Sequence, residues 1–273
     1  MGYKSSPKPD FSEPTHIVYK SMETYLWGDN ESGNVRDWIF VSNESLHQII
    51  FGIEPGQNFK HSNEYRTIFG ADELLYVLSG VMVINNPETG ETHRVTKGNS
   101  VFFQKDTWHH AFNYSNDYLQ VLEFFSPPPI TGTSGIYAKK KTLLKNSLYK
   151  RNDYIFPSEE FIYSKAFKII NHNDYIWSLN GPNQEILIGT IVKTKNLVVK
   201  NIKLFPNRIT HSLKFNKSTS FLSLDSNIKV MINNGKNFNL NEKDGLYIPA
   251  NFEFKFKNLN KNEVNLIFCE GLK

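Results

Sequence analysis

One cysteine in 273 residues excludes an internal disulfide. That residue, Cys269, sits in the apolar run NLIFCEG and reads as a small buried thiol with no chemistry assigned. No apolar run approaches the roughly 18 residues of a membrane span. The opening MGYKSSPKPDFSEP lacks the apolar stretch of a secretory signal, so the expected location is cytoplasmic. Long amphipathic helical patterns are also missing. Charge is not one-sided: 31 Lys and Arg face 27 Asp and Glu, a net +4. The sequence shows no interleaving of aromatic and basic residues of the kind that reads nucleic acid, so neither nucleic acid nor membrane is expected as a partner. The densest basic stretch, AKKKTLLKNSLYKR at 138–151, reads as a solvated linker, with contact to an anionic surface as the alternative.

What the chain does have is apolar, aromatic and strand-like. A hydrophobic content of 39%, with 14% aromatic residues, can build one large core or two ordinary ones. The runs DWIFVS, HQIIFGI, ELLYVLSG, VMVIN, SVFFQ and LQVLEFF recur with turn residues between them, and NNPETGE at 85–91 reads as a hairpin loop. Many short antiparallel strands at this spacing imply a sandwich or barrel. The second half then repeats the first. YLW at 25–27 returns as YIW at 175–177, and DWIFVSNESLHQIIFGIEPG returns in outline as IGTIVKTKNLVVKNIKLFPN. KHS at 60–62 returns as THS at 210–212, and SVFFQKDTWHHAFN lines up with GLYIPANFEFKFKN, matching Asn113 to Asn258. A repeat offset of about 145 to 150 residues means two copies of one fold, each with its own core. SPPPITGTSG and the basic stretch lie between them.

Two stretches of the first copy carry a family resemblance. EPGQNFKHSNEYRTIFGADELLYVLSG has a strand ending in Pro-Gly, then a histidine, then a glutamate followed after six residues by glycine. KGNSVFFQKDTWHHAFN opens on Gly98 and sets Asn113 four residues after His109. Together they resemble the two motifs of the cupin superfamily, with Gln104 and Asp106 replacing the usual proline and glycine. The resemblance implies an all-β chain of two tandem cupin (double-stranded β-helix, jelly-roll) barrels. Its parts would be an N-terminal arm at 1–15, a first cupin at 16–128, a linker at 129–165 and a second cupin at 166–273. Arms of this kind in cupins often pair with a neighbouring subunit, which makes a homodimer the expected assembly.

The family's metal ligands are three histidines and a glutamate. Its His-x-His positions here are Thr67 and Phe69, so the resemblance reduces the set to His61, Glu73 and His109, with Glu64 or His110 as fourth members. Strand alternation lets only one of His109 and His110 face the lumen; the family pattern selects His109 and leaves His110 outside, with Trp108 at the lip. Imidazole and carboxylate ligands on neighbouring strands suit Fe(II), favoured here, and also Mn(II), Ni(II) or Zn(II). The alternative is a set of polar residues at a barrel mouth with no metal. Arg66 is the candidate to clamp a substrate carboxylate, against the plainer reading of an exposed loop arginine. Tyr76 reads as core, and His93 as exposed. In the second copy Thr219 and Phe254 stand where the first has Glu73 and His109, and only His211 remains. The first barrel is therefore expected to act on a small polar metabolite as an Fe(II) dioxygenase. The alternatives are a metal-dependent lyase or isomerase, or a small-molecule-binding bicupin without enzymatic activity.

Overall fold

The computed structural model describes residues 6–150 and 166–272; residues 151–165 of the expected linker and the first five residues of the arm lie outside that range. Among the described residues the only α-helix is Gly135–Lys139, and β-strands form the rest of the architecture apart from short 3-10 turns. This agrees with the all-β expectation.

The chain forms two compact units. The first is built chiefly from Thr24–Ile39 and Ile49–Asn173, the second from Lys8–Glu23, Phe40–Gln48 and the chain from Asp174 onward. Each unit combines a seven-stranded with a four-stranded sheet among the described residues. In the first unit the large sheet includes Ser100–Phe103, Asp72–Ser79 and Leu119–Ser126 as neighbours, and the small one places His110–Asn113 between Asn58–Phe59 and Val81–Asn85. Apolar residues from both sheets meet inside it, among them Leu75, Val77, Val101 and Val121 from the large sheet and Phe59, Ile84 and Ala111 from the small. Full burial of each Leu, Val, Ile or Phe side chain among them contributes about 1.5–3 kcal/mol.

The opening strands of the two repeats are exchanged. Thr15–Ile17 pairs antiparallel with Gly245–Ile248 at the edge of the second unit's sheet, while Lys168–Ile170 pairs with Ser100–Phe103 at the edge of the first unit's. Edge pairing satisfies backbone groups that would otherwise be exposed. The strand that follows the expected arm therefore pairs within its own chain.

Turn geometry preserves the repeat where side chains have diverged. Left-handed backbone occurs at Gly56 and Asn207 (φ 72° and 54°), at Gly98 and Lys243 (85° and 68°), and at Asp106 and Asn251 (66° and 65°). Asp106 thus keeps the conformation that the motif's glycine would supply, and Asp and Asn tolerate that region better than other residues with a Cβ. The motif asparagine is also a repeated structural device. Asn113 Nδ2 donates to the carbonyls of Ile53 and Asp117, and its Oδ1 accepts from the Ser115 N–H and hydroxyl. Asn258 does the same with the carbonyls of Leu204 and Asn262 and the Asn260 N–H.

Candidate functional site

Register fixes what faces the first lumen. Glu73 lies opposite Phe103 and Phe125, and Leu75 lies opposite Val101 and Glu123. Directly paired residues project from the same side of a sheet. Leu75, Val101 and Phe103 belong to the core, so Glu73 and Glu123 point inward with them. Asp37 follows by alternation, because Val35 and Ile39 flank it at the same phase and are core residues. Tyr76 falls on the opposite face, as its spacing from Glu73 requires.

His109 is held at the end of this lumen. Its N–H donates to the Thr67 carbonyl at 3.1 Å, and its ring packs 4.7 Å from Phe103 and 5.6 Å from Phe69. Phe69 thus puts an aromatic wall at one of the family's histidine positions. His109 Nδ1 lies 3.2 Å from the Thr107 carbonyl, which can only accept, so the ring proton resides on Nδ1. That leaves Nε2 with its lone pair, 3.9 Å from Glu73 Oε2. The separation is too long for a hydrogen bond. It falls within the span of two ligands that each approach one metal ion at about 2.0–2.2 Å.

The electrostatics disfavour bare negative charge in this lumen. Burial raises the Glu73 carboxyl well above its usual range, and Glu123 and Asp72 add repulsion. Asp37 is raised well above its range too, by burial and then by Glu123, and its buried Oδ1 has no hydrogen-bond partner. Burial lifts Glu123 to about 7. His109 is held down to about 4 by burial, against a small opposing effect of the Thr107 carbonyl. Buried carboxylates that only repel one another are costly unless a positive charge joins them.

The other expected residues lie elsewhere. His61 Nε2 meets the Leu144 carbonyl at 2.9 Å, and its Nδ1 meets His110 Nε2 at 2.7 Å. His110 is 1% exposed, buried on the outer face of its strand rather than free there. Among the described residues no three His, Cys, Asp or Glu side chains stand close enough to hold one ion, so the set His61, Glu73 and His109 is not assembled; the pair Glu73–His109 is. Arg66 Nη1 donates to the carbonyls of Ala138, Lys139 and Lys141, which engages the proposed substrate clamp in holding the short helix. Glu64 is ion-paired with Lys139 at 2.9 Å. Trp108 is buried with Ile68, Phe69 and Phe125, its ring 4.9 Å from that of His61. His93 is hydrogen-bonded to Glu91 at 2.7 Å.

Sequence reading missed Asp37 and Glu123. The available signal was a charged residue at the inward phase of an apolar strand, in VRDWIFV and LQVLEFF. The second lumen shows what replaces them. At the positions of Asp37, Glu123 and His109 it has Ile188, Phe268 and Phe254, and Phe221 packs 5.8 Å from Phe254 and 5.2 Å from Phe268. Its remaining histidine, His211, is tied by Nδ1 to Glu185 Oε1 at 2.8 Å.

The cupin domain family model matches residues 50–125, which contain Glu73, His109 and Glu123. The chain belongs to the cupin superfamily. No curated protein matches the sequence significantly. Solved structures extend the cupin fold over both units. A putative glyoxylate-induced protein from Pseudomonas aeruginosa matches with a TM-score of 0.68 at 12% identity, covering 99% of this chain and 93% of that one. AerE from Microcystis aeruginosa gives 0.60 at 12%, covering 94% and 99%. A variant of Bacillus subtilis oxalate decarboxylase gives 0.62 at 11%, covering 96% and 78%. At these identities the likeness is one of fold. No helix among the described residues is long and apolar enough to cross a membrane.

Proposed function

We propose that the first barrel is a metal-dependent enzyme site for a small polar metabolite. The observation that carries this reading is the tautomer-fixed His109 Nε2, with its lone pair, 3.9 Å from the Glu73 carboxylate. Glu73 and His109 would hold the ion, with Glu123 the nearest further lumen carboxylate along the same face. A donor set of one imidazole and carboxylate oxygens suits Fe(II) or Mn(II) better than thiolate-seeking ions. Bound there, such an ion would supply Lewis-acid polarisation or, as Fe(II), the means to activate dioxygen.

The chain's own residues set the rest. The Thr107 carbonyl orients the His109 ring, as a partner beyond the ligand shell does in metalloproteins. Phe69, Phe103 and Phe125 wall the ligand pair with apolar surface, which strengthens any electrostatic interaction made inside. Fe(II) dioxygenase is the first reading of the reaction. A metal-dependent lyase is the second, favoured by the fold likeness to oxalate decarboxylases and by Glu123, a further lumen carboxyl able to carry a proton. Oxygen uptake and product analysis, run over a panel of small hydroxy- and dicarboxylic acids with Fe(II)- or Mn(II)-loaded protein, separate the two. Turnover with oxygen consumption supports the dioxygenase and turnover without it the lyase. Absence of turnover by either loaded form over the panel counts against the enzyme.

A further inference from the structure

On the outer face of His110–Asn113, away from the Glu73–His109 pair, a cavity of about 380 Å³ opens beside the residues that follow the short helix. It belongs to the first unit and is lined by Lys60, His61, His110, Lys145 and Tyr149, with Glu31 its one carboxylate among the described residues. The size is that of a small-metabolite site. Lys145 and Tyr149 come from the basic stretch 138–151, to which the lumen gives no role.

The charge pattern identifies the ligand class. Neither Lys60 nor Lys145 forms an ion pair among the described residues. Lys60 and Lys145 are the cations of the lining, and exposed Glu31 is the opposing charge. The hydrogen bonds fix the two histidines beside these lysines. The Leu144 carbonyl requires a proton on His61 Nε2. The 2.7 Å contact between the rings then closes with His110 Nε2–H donating to the lone pair of His61 Nδ1, both rings neutral as their burial favours. His110 Nδ1, in turn, is buried with no partner. A divalent cation entering here would meet the like charges of Lys60 and Lys145, whereas an oxyanion would meet their ammonium donors.

We propose that this cavity binds the oxyanion group of a small metabolite, a phosphate or a carboxylate, through Lys60 and Lys145 beside the His61–His110 pair. The site is separate from the lumen and does not rest on a metal there. The two adjacent histidines of the motif thus serve opposite faces of one strand, His109 the lumen and His110 the outer cavity.

The test is calorimetric titration of the full chain with inorganic phosphate and, separately, succinate at low ionic strength. One or both should bind at one site per chain, which names the anion. Affinity should fall at least about tenfold in the double variant Lys60→Ala, Lys145→Ala, the loss of charged hydrogen bonds, and stay unchanged in Glu73→Gln. An unchanged melting temperature without ligand excludes misfolding of the double variant; should it melt early, the single exposed change Lys145→Gln takes its place with a smaller loss. Three results overturn the proposal: no binding of either anion, equal binding by parent and lysine variants, or binding of Zn²⁺ that His61→Ala abolishes while neither anion binds.

Discussion

The two barrels share a fold and differ in what fills them. Where the second packs Ile188, Phe254 and Phe268 around Phe221, the first holds Asp37, His109 and Glu123 around Leu75, with Glu73 added. The second barrel shows that Ile, Phe and one Thr satisfy this scaffold at these positions without a charged group. The first therefore bears a burial cost that its fold does not require, and that cost is why we propose the chemistry there. The motif asparagine teaches the converse. Because Asn113 and Asn258 make matching main-chain bonds in both barrels, that residue builds the fold and not the site.

The sharpest way to break the comparison is to move a charge across it. Phe268→Glu puts an uncompensated carboxylate into the second lumen and should cost about 3–5 kcal/mol, read by chemical denaturation. The reverse transplant, Glu73→Thr with His109→Phe and Glu123→Phe, should abolish metal binding. It should also stabilise the metal-free protein by about 1–4 kcal/mol, provided the phenylalanines repack as they do in the second barrel. Asn113→Ala and Asn258→Ala should each destabilise by about 1–3 kcal/mol; equal losses are the outcome the structural role requires, and a much larger effect on activity than on stability for Asn113 would contradict it.

A smaller effect is expected with pH. Glu123 has a folded-state pKa of about 7 against an ordinary 4.5, so between those values the folded chain keeps a proton that the unfolded chain has released. Stability from this group is present at low pH and is lost as pH rises through that window. His109, lowered from 6.5 to about 4, acts oppositely: its contribution is present above 6.5 and lost as pH falls towards 4. Denaturation of metal-free parent and Glu123→Gln across pH 4 to 8 isolates the first effect, which the variant should lack. Saturating Mn(II) should invert the parent's slope, because binding requires deprotonated ligands. The smallest change is Asn251→Gly, which relieves left-handed backbone and should raise stability by up to about 1 kcal/mol, read as a shift in denaturation midpoint.

Much of this was legible in the sequence. The repeat, the strand runs and the Glu73 and His109 spacings all depend on local pattern, and local pattern survives in a single chain. Three features were not legible, each for a physical reason. Whether His61 reaches the lumen depends on the path of the loop that carries it, and that loop delivers its ring to His110 and Leu144. Asp37 and Glu123 reach the lumen through strand phase and cross-strand register, which the alternation hints at and the register decides. The exchange of Thr15–Ile17 and Lys168–Ile170 between units is a choice of sheet edge, made by pairing partners far away in sequence.

The central claim is that the first lumen holds a divalent ion between Glu73 and His109. Elemental analysis of the parent, Glu73→Gln and His109→Ala proteins, each folded and loaded anaerobically with Fe(II) or Mn(II) before desalting, tests it most directly. Close to one ion per parent chain is expected, with near-complete loss in both variants. A parent that retains no ion, or variants that retain as much as the parent, would contradict it.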